Sequence, residues 1–328
     1  MKAAQDPADV SPPEELREYK VYPALIARCG ELEPITTAVA HPCDQSSLTG
    51  ALEAAEAELI RPILVGPEHK IRAVAEEFGL DVTPFRIVDV AHSHAAAARA
   101  VELVRAGEAE TLMKGSLHTD ELMGEVVRKD TGLRTERRVS HVFLMDVPTY
   151  HKPLAVTDAA INIFPDLEAK ADIVQNVIDM AHALGQARPK VAIVSAVETV
   201  TPKIPSTIDA AALCKMADRG QIAGGLLDGP LAFDNAISRE AAEVKGIRSE
   251  VAGDADVLVV PDLEAGNMLA KQLAFLANAD AAGIVLGARV PIMLTSRADT
   301  VRARMASCAV AVCLAHARRK TAAAPAAE

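Results

Sequence analysis

Short apolar runs alternate with longer amphipathic stretches from residue 35 almost to residue 320, and this alternation most narrows the folds open to the chain. Apolar runs of roughly four to eight residues bounded by turn residues read as strands; longer stretches with apolar positions three and four apart read as helices. Strand and helix in regular succession predict an α/β protein built on a largely parallel sheet. Strands are predicted at 35–40, 62–65, 86–90, 111–113, 139–146, 154–157, 191–197, 222–227, 257–260, 283–286 and 292–295. Helices are predicted at 47–59, 69–78, 92–105, 120–128, 167–184, 207–219, 234–245, 264–277 and 300–319, with Ser206 and Asp209 as start signals and Gly220 as stop signal of the helix at 207–219. Eleven strands are many for one open sheet, so two sheets with a cleft between them are expected. The proline-bearing region 132–165 suits a crossing near residue 145. The expected organisation is a flexible N-terminal tail at 1–20, a first lobe from 21–145 and 288–328, and a second lobe from 146–287.

The core of such a protein must be aliphatic, because the 328 residues include no Trp, three Tyr and six Phe, yet half are hydrophobic. So few aromatics argue against a base-stacking nucleic-acid platform, and a net charge of -11 repels nucleic acid and anionic membrane alike. An anionic substrate must therefore be drawn in by a local group of Lys and Arg. The five cysteines, Cys29, Cys43, Cys214, Cys308 and Cys313, are odd in number and form no CxxC pair, which suggests neither a disulfide framework nor a zinc site. With no apolar span of membrane length and no signal-like start, the protein is expected in the cytoplasm.

No GxGxxG or GxxxxGK[ST] motif is present; Met113, Lys114, Gly115 and Ser116 have P-loop residue types in the wrong order. His92 and His94 read as a surface pair with no third metal ligand. His41-Pro42-Cys43-Asp44 invites a Cys-His-Asp nucleophile, but neighbouring residues do not usually form a triad with one another, so a strand-to-helix loop is the better reading. More telling, polar residues follow six apolar runs: 114–119, 157–162, 195–199, 228–230, 262–267 and 295–299. In a parallel sheet these positions gather at the carboxyl edge, where open α/β sheets bind ligands. The run from Pro291 to Asp299 reads as a buried strand leading into a helix N-terminus, with Ser296 and Asp299 in capping-box spacing and Arg297 between them. An Arg at such a point suggests a phosphate or carboxylate ligand.

These residues resemble the phosphotransacylases, the phosphate acetyltransferase and phosphate butyryltransferase family. The resemblance runs from about Ile35 to Lys320 and is carried in order by Leu112 to Gly115, Leu133 to Thr135, Ser140 to Val142, Thr157 to Asn162, Pro205 to Asp209, Asp218 to Ile222, Asp228 to Ala232, Glu250 to Gly253, Gly266-Asn267 and Leu294 to Asp299. It implies reversible acyl transfer, in which acyl phosphate plus coenzyme A gives acyl-CoA plus phosphate, with coenzyme A as substrate and no cofactor. It implies two α/β lobes of the isocitrate/isopropylmalate dehydrogenase kind, each a largely parallel sheet flanked by helices, with an interlobe cleft and usually a homodimer. The family's Ser and Arg match Ser296 and Arg297, for transition-state hydrogen bonding and phosphate binding.

Two departures bear on the chemistry. The acetyl branch has an acidic residue seven positions after that Ser, regarded as the base for the thiol, where this chain has Ala303, and an Arg near the position of Met123 is also missing. Both departures, with Lys114 and Asp299, are closer to the butyryl branch. A free thiol is mostly protonated at neutral pH, so a positioned base is worth on the order of 10²- to 10⁴-fold. Asp299 is the expected base, with Asp158 or His141 as fallbacks. Lys114 and Arg134 are expected on the coenzyme's phosphates, and Asn162, Ser195, Asp228 and Asn267 in the polar cleft. Two other readings stay open: a metal- and NAD-dependent β-decarboxylating dehydrogenase using Asp228, Asp254 and Asp256, and a non-catalytic acyl-CoA-binding protein.

Overall fold

A computed structural model describes residues 21–294 and 301–323. The expected tail at 1–20 and the expected catalytic residues Ser296, Arg297 and Asp299 lie outside the described residues. The chain begins with α1 (Val21–Cys29), β1 (Ile35–Ala40), α2 (Gln45–Glu56), β2 (Ile60–Gly66), α3 (Glu68–Phe78), β3 (Arg86–Asp89), α4 (Ser93–Arg105), β4 (Thr111–Lys114) and α5 (Thr119–Val126). It continues through β5 (Ser140–Asp146), β6 (Leu154–Thr157), α6 (Leu167–Ala183), β7 (Lys190–Val194), α7 (Pro205–Asp218), β8 (Leu226–Leu231), α8 (Phe233–Ile237) and α9 (Arg239–Val244). Last come β9 (Val257–Val259), α10 (Leu263–Leu276), β10 (Asp280–Leu286), β11 (Ile292–Met293) and α11 (Val301–Ala323).

Each predicted strand and helix has a counterpart, with instructive differences. The helix expected at 234–245 is broken by Ser238, whose backbone is extended and whose side chain caps α9 instead. Helix α1 was not expected, although Tyr22, Leu25 and Cys29 form a buried stripe at helical spacing. Ser206 and Asp209 do not cap α7, which starts with Pro205 and has no side-chain cap. Ser206 instead pairs with Ser195 through their hydroxyls at 2.8 Å, and Asp209 accepts from Lys170 at 2.7 Å.

The two expected sheets are one. All eleven strands pair in the order β3-β2-β1-β4-β11-β10-β5-β6-β9-β7-β8. On one side of the centre β3, β2, β1, β4 and β11 are mutually parallel. Strand β10 is antiparallel to both β11 and β5, and β5 is antiparallel to β6, which runs parallel to β9, β7 and β8. The reversals follow from chain length: residues 147–153 and 287–291 are too few for the helical crossover that a parallel neighbour needs. As a result the carboxyl ends of the two halves face opposite edges. The six polar segments therefore do not share one edge, as a parallel sheet would have made them do.

The two faces of the sheet are covered differently. One carries a single aliphatic core across its width, in which Val39, Met113, Met293, Ile284, Val142 and Ile193 from the strands meet α1, α2, α3, α6, α7 and α11. The opposite face carries two cores. Ala38, Leu112, Ile292 and Val285 pack under α4 and α5, whereas Met145, Val156, Ala192 and Leu258 pack with α8, α9 and α10. Between these two cores the apolar layer is interrupted.

Candidate active site

Strand alternation and register identify what lies in that interruption. Phe143 pairs with Gly283 across β5 and β10, and Phe143 and Ala281 are half-buried where mid-sheet residues are usually covered. Leu294, at the end of β11, donates its N–H to Gly283 O at 3.3 Å. Lys114, at the end of β4 and half-buried, follows Met113, which pairs with Met293, so Lys114 comes level with Leu294 on the face that Leu112 and Ile292 share. The floor of the seam is thus a row from Lys114 through Leu294 and Gly283 to Phe143. A Cβ on Gly283 would sit 2.7 Å from Leu294 O and 3.2 Å from His141 Nε2, so only glycine lets these groups approach.

Two residues behind this row, on the same face, stands His141, paired with Val285. Its ring meets Phe143 edge-on at 4.4 Å between centroids. The residue is buried, and Nδ1 has no hydrogen-bond partner. Burial lowers its pKa to about 4, against a partial upward pull from Asp158. A histidine in this state is a neutral imidazole at neutral pH.

The far wall is a turn after β6. Asp158 is buried and its carboxylate accepts four bonds: from the N–H groups of Ala160 at 2.9 Å, Ile161 at 3.0 Å and Asn162 at 3.3 Å, and from Asn162 Nδ2 at 2.6 Å. Asn162 also donates to Val139 O at 2.9 Å and accepts from Arg138 Nε at 2.8 Å. Asn267, in the first turn of α10, donates to Ala159 O at 3.1 Å. Asp158, Asn162 and Asn267 therefore fix a wall, and the acceptor capacity of Asp158 is taken up by that task. This makes it a positioning group, not a base with a lone pair to offer.

The near wall is built where β1 and β4 end side by side. Ser116 Oγ lies 2.8 Å from His41 O, 3.0 Å from His41 Nδ1 and 3.2 Å from Cys43 N. A side chain on Gly115 would collide with the carbonyls of Ala40 and His41, so the two strand ends touch backbone to backbone. Asp44 caps α2 through Ser47 N at 2.8 Å, so the His-Pro-Cys-Asp sequence forms the expected strand-to-helix loop. Burial pushes the Cys43 thiol up to about 11, which makes it a poor nucleophile. His92 accepts from Ala95 N at the start of α4, and His94 lies 3.9 Å from Glu121, so this pair serves helix ends.

The segment carrying Ser296, Arg297 and Asp299 leaves the sheet at Leu294, between Lys114 and His141, and the chain resumes in α11. Three ties hold the beginning of α11. Arg304 donates to Ser46 O at 2.6 Å and Ser46 Oγ at 2.5 Å, Arg302 lies 3.4 Å from Asp280, and Ser307 Oγ accepts from Gly283 N at 3.1 Å. Ala303 is buried in this first turn and offers no carboxylate to the seam.

The remaining expected site residues are elsewhere. Arg134 is exposed and bridges Ala288 by its backbone, near the end where β5 begins. Ser195 follows β7, three strands from β5 and so about 14 Å away at normal strand spacing. Asp228 lies within the edge strand β8 instead of after it, accepting from Gly229 N at 2.9 Å. Sequence reasoning missed Phe143, Gly283 and Arg304; a glycine inside a strand was the available signal, since it marks a close approach. The carboxylates that a dehydrogenase reading would assign to a metal are engaged otherwise. Asp254 lies 2.5 Å from Lys190 and 2.9 Å from both Lys152 and His151, and Asp256 lies 2.7 Å from Lys152. Among the described residues no group of three or more His, Cys, Asp or Glu could hold a metal ion.

A family model described as "Phosphate acetyl/butaryl transferase" matches residues 93–312. A phosphate acetyltransferase from Rhizobium meliloti is 69% identical over 298 residues, covering 91% of this chain and 94% of that protein. A phosphate butyryltransferase from Clostridium acetobutylicum is 42% identical over 285 residues, covering 87% and 94%. Among solved structures, a branched-chain phosphotransacylase from Enterococcus faecalis V583 is 31% identical with a TM-score of 0.76, over 86% of this chain and 99% of that one. Identity thus orders the two branches the opposite way from Ala303 and the missing Arg.

Proposed function

The chain belongs to the phosphate acetyl/butyryl transferase family, and from that premise we propose that it reversibly transfers a short acyl group, acetyl foremost, between acyl phosphate and the thiol of coenzyme A. The observation that carries this reading is 69% identity to a phosphate acetyltransferase over nine-tenths of the chain. The seam is where the chemistry belongs. Among the described residues it lies between the two aliphatic cores of that face, and it is where β11 hands over to the segment with Ser296, Arg297 and Asp299.

In this mechanism the guanidinium of Arg297 grips the leaving phosphate through a planar fork, with Lys114 adding positive charge from β4. Ser296 donates a hydrogen bond to the oxyanion of the tetrahedral intermediate, a contribution on the order of 10²-fold. The coenzyme A thiol attacks the acyl carbon, the C–O bond to phosphate breaks, and the thiol proton passes to a base. Asp299 is the base in this reading, since Ala303 carries no carboxylate and Asp158 is committed to its turn. His141, with its neutral imidazole and uncommitted Nδ1, borders the acyl position from below. Arg134, exposed near the start of β5, is assigned to the coenzyme's phosphates in this reading.

The aliphatic cores on either side of the seam support two lobes, 21–145 with 288–328 and 146–287, joined by the core of the other face. A homodimer completes the proposal, supported by Met268, Phe275 and Leu276 of α10, whose side chains are 58%, 78% and 82% exposed and would be covered by a second copy. A cytoplasmic setting fits coenzyme A as substrate.

The deciding experiment is thiol-ester formation from acetyl, propionyl and butyryl phosphate with coenzyme A, with and without chelator. Chelator-insensitive turnover is expected, fastest with acetyl phosphate; binding of coenzyme A without turnover on any of the three overturns the proposal. Asp299→Asn is expected to lower kcat by about 10²-fold with less effect on KM. Unchanged kcat removes Asp299 as base.

A further inference from the structure

The mechanism above uses none of the five cysteines, yet two of them are brought together from opposite ends of the chain. Cys29 closes α1, Cys313 lies in the middle of α11, and their sulfurs are 3.8 Å apart although the residues are 284 positions apart. Both are buried. Cys29 has one thiol proton and two acceptors within reach, Cys313 Sγ and Ala309 O at 3.4 Å. The other cysteines are placed differently: Cys214 donates to Gly229 O at 3.7 Å, Cys43 lies in the β1–α2 loop with its sulfur beside Gly66, and Cys308 is buried within α11.

We propose that Cys29 and Cys313 are a peroxide-responsive dithiol that closes to an intramolecular disulfide, stapling α1 to α11. Closing from 3.8 Å to a bond of about 2.05 Å needs the two sulfurs to approach by roughly 1.8 Å. In the first step a thiolate on Cys313 attacks one oxygen of hydrogen peroxide. The O–O bond breaks, hydroxide leaves and is protonated to water, and Cys313 becomes a sulfenic acid. In the second step the Cys29 sulfur attacks the Cys313 sulfur. The S–O bond breaks, and the departing hydroxide takes the Cys29 proton as a second water. Two thiols lose two electrons, and one peroxide becomes two waters.

The surroundings assign the roles. The hydrogen bond from Cys29 favours a thiolate on Cys313 against the opposing effect of burial, and the positive charge of Arg28 adds to it; the same contact pushes the Cys29 thiol up. A cavity of about 630 Å³ beside α1 is lined by Leu25 and Arg28 but by neither cysteine, so peroxide reaches the sulfurs when the end of α1 opens. The helix is nine residues long, so its last turn opens at low cost. What the bond would fasten is functional: α11 begins at Val301, directly after the segment with Ser296 and Arg297.

The test uses the full chain, treated with stoichiometric hydrogen peroxide and then analysed without reductant. Trypsin leaves Cys29 with Cys43 in residues 29–70 and Cys308 with Cys313 in residues 305–318, so the C43S/C308S variant fixes the assignment. Expected are an intact mass lower by about 2 Da, one cross-link between those two peptides that persists in C43S/C308S, reversal by dithiothreitol, and a Tm higher by roughly 4 °C or more. Either C29S or C313S should abolish the cross-link. Sulfinic or sulfonic acids in place of the cross-link, bonds through Cys43 or Cys308, dimers linked between chains, or a Tm that does not rise would each overturn the proposal. Should C29S or C313S fail to fold, the C43S/C308S mapping decides alone.

Discussion

The two faces of the sheet solve the same packing problem in different ways. On one, α11, α1 and α6 lie across the centre and the aliphatic core runs unbroken from β2 to β8. On the other, the helices stop on either side, and the centre is left to Phe143, His141, Gly283 and Leu294. The unbroken face supplies cohesion between the halves of the molecule. The interrupted face gives up apolar burial at its centre and in return has room for polar side chains and a substrate. Stability and chemistry are thereby separated across the thickness of one sheet, and substitutions on the two faces should have different signatures.

The largest expected effect is on the interrupted face. Arg297→Ala should lower kcat/KM for acyl phosphate by roughly 10²- to 10³-fold, about 3–4 kcal/mol of transition-state stabilisation, with no change in Tm. Steady-state assays beside thermal unfolding check both halves of that statement. If Tm falls with activity, the separation of roles fails at its main residue.

Next in size is acid sensitivity at His141. Its folded pKa of about 4 lies below the ordinary 6.5, so as pH falls through this window the unfolded chain takes up a proton that the folded chain refuses. The native state accordingly loses up to about 3 kcal/mol between pH 6.5 and 4, and His141→Gln should remove that part of the slope. Urea unfolding at pH 7.5, 6 and 5 measures it. Asp254 does not interfere in this window. Burial works upward on its pKa, but the bonds from Lys190, Lys152 and His151 outweigh it and hold the carboxyl low, so its contribution is lost only below about pH 3.8.

Filling the seam comes third. Gly283→Ala places a methyl 2.7 Å from Leu294 O and 3.2 Å from His141 Nε2, and should cost about 1–3 kcal/mol of stability together with activity per folded molecule. Activity retained in full would mean that the floor of the seam does not border the reacting groups. The smallest effect is expected on the unbroken face. Val310→Ala, at a fully buried position, should lower stability by about 2 kcal/mol and leave kcat and KM unchanged. Changed kinetic constants would show that the two faces are coupled more closely than their packing implies.

Much of the fold was legible before any coordinates. The strand at Ile35–Ala40, the strand at Leu154–Thr157 and the long helix from Leu167 came out almost residue for residue, because local periodicity and caps such as Asp166 are properties of a few neighbouring residues. Strand direction was not read correctly, although the short connections 147–153 and 287–291 carried the information. Of the polar strand ends, Asp158, Asn162 and Asn267 build one wall beside His141, Lys114 ends the floor row three strands away on β4, and Ser195 after β7 and Asp228 in β8 lie towards the far edge of the sheet. Their local sequences look alike; strand order moves Ser195 and Asp228 outward, and the reversal puts Lys114 on the opposite carboxyl edge from Asp158 and Asn267.

By itself the sequence determined the element types, the aliphatic character of the core, the alternation that demands a sheet between helical layers, and the motifs that mark the family. These are fixed by residue type and spacing over ten or twenty positions. The tertiary structure alone decided that one sheet forms instead of two, that Asp158 serves a turn, that His141 is neutral and that Cys29 meets Cys313. Each of these depends on which distant groups surround a residue and how far water is excluded from it, and neither is encoded in the residue's own neighbourhood along the chain.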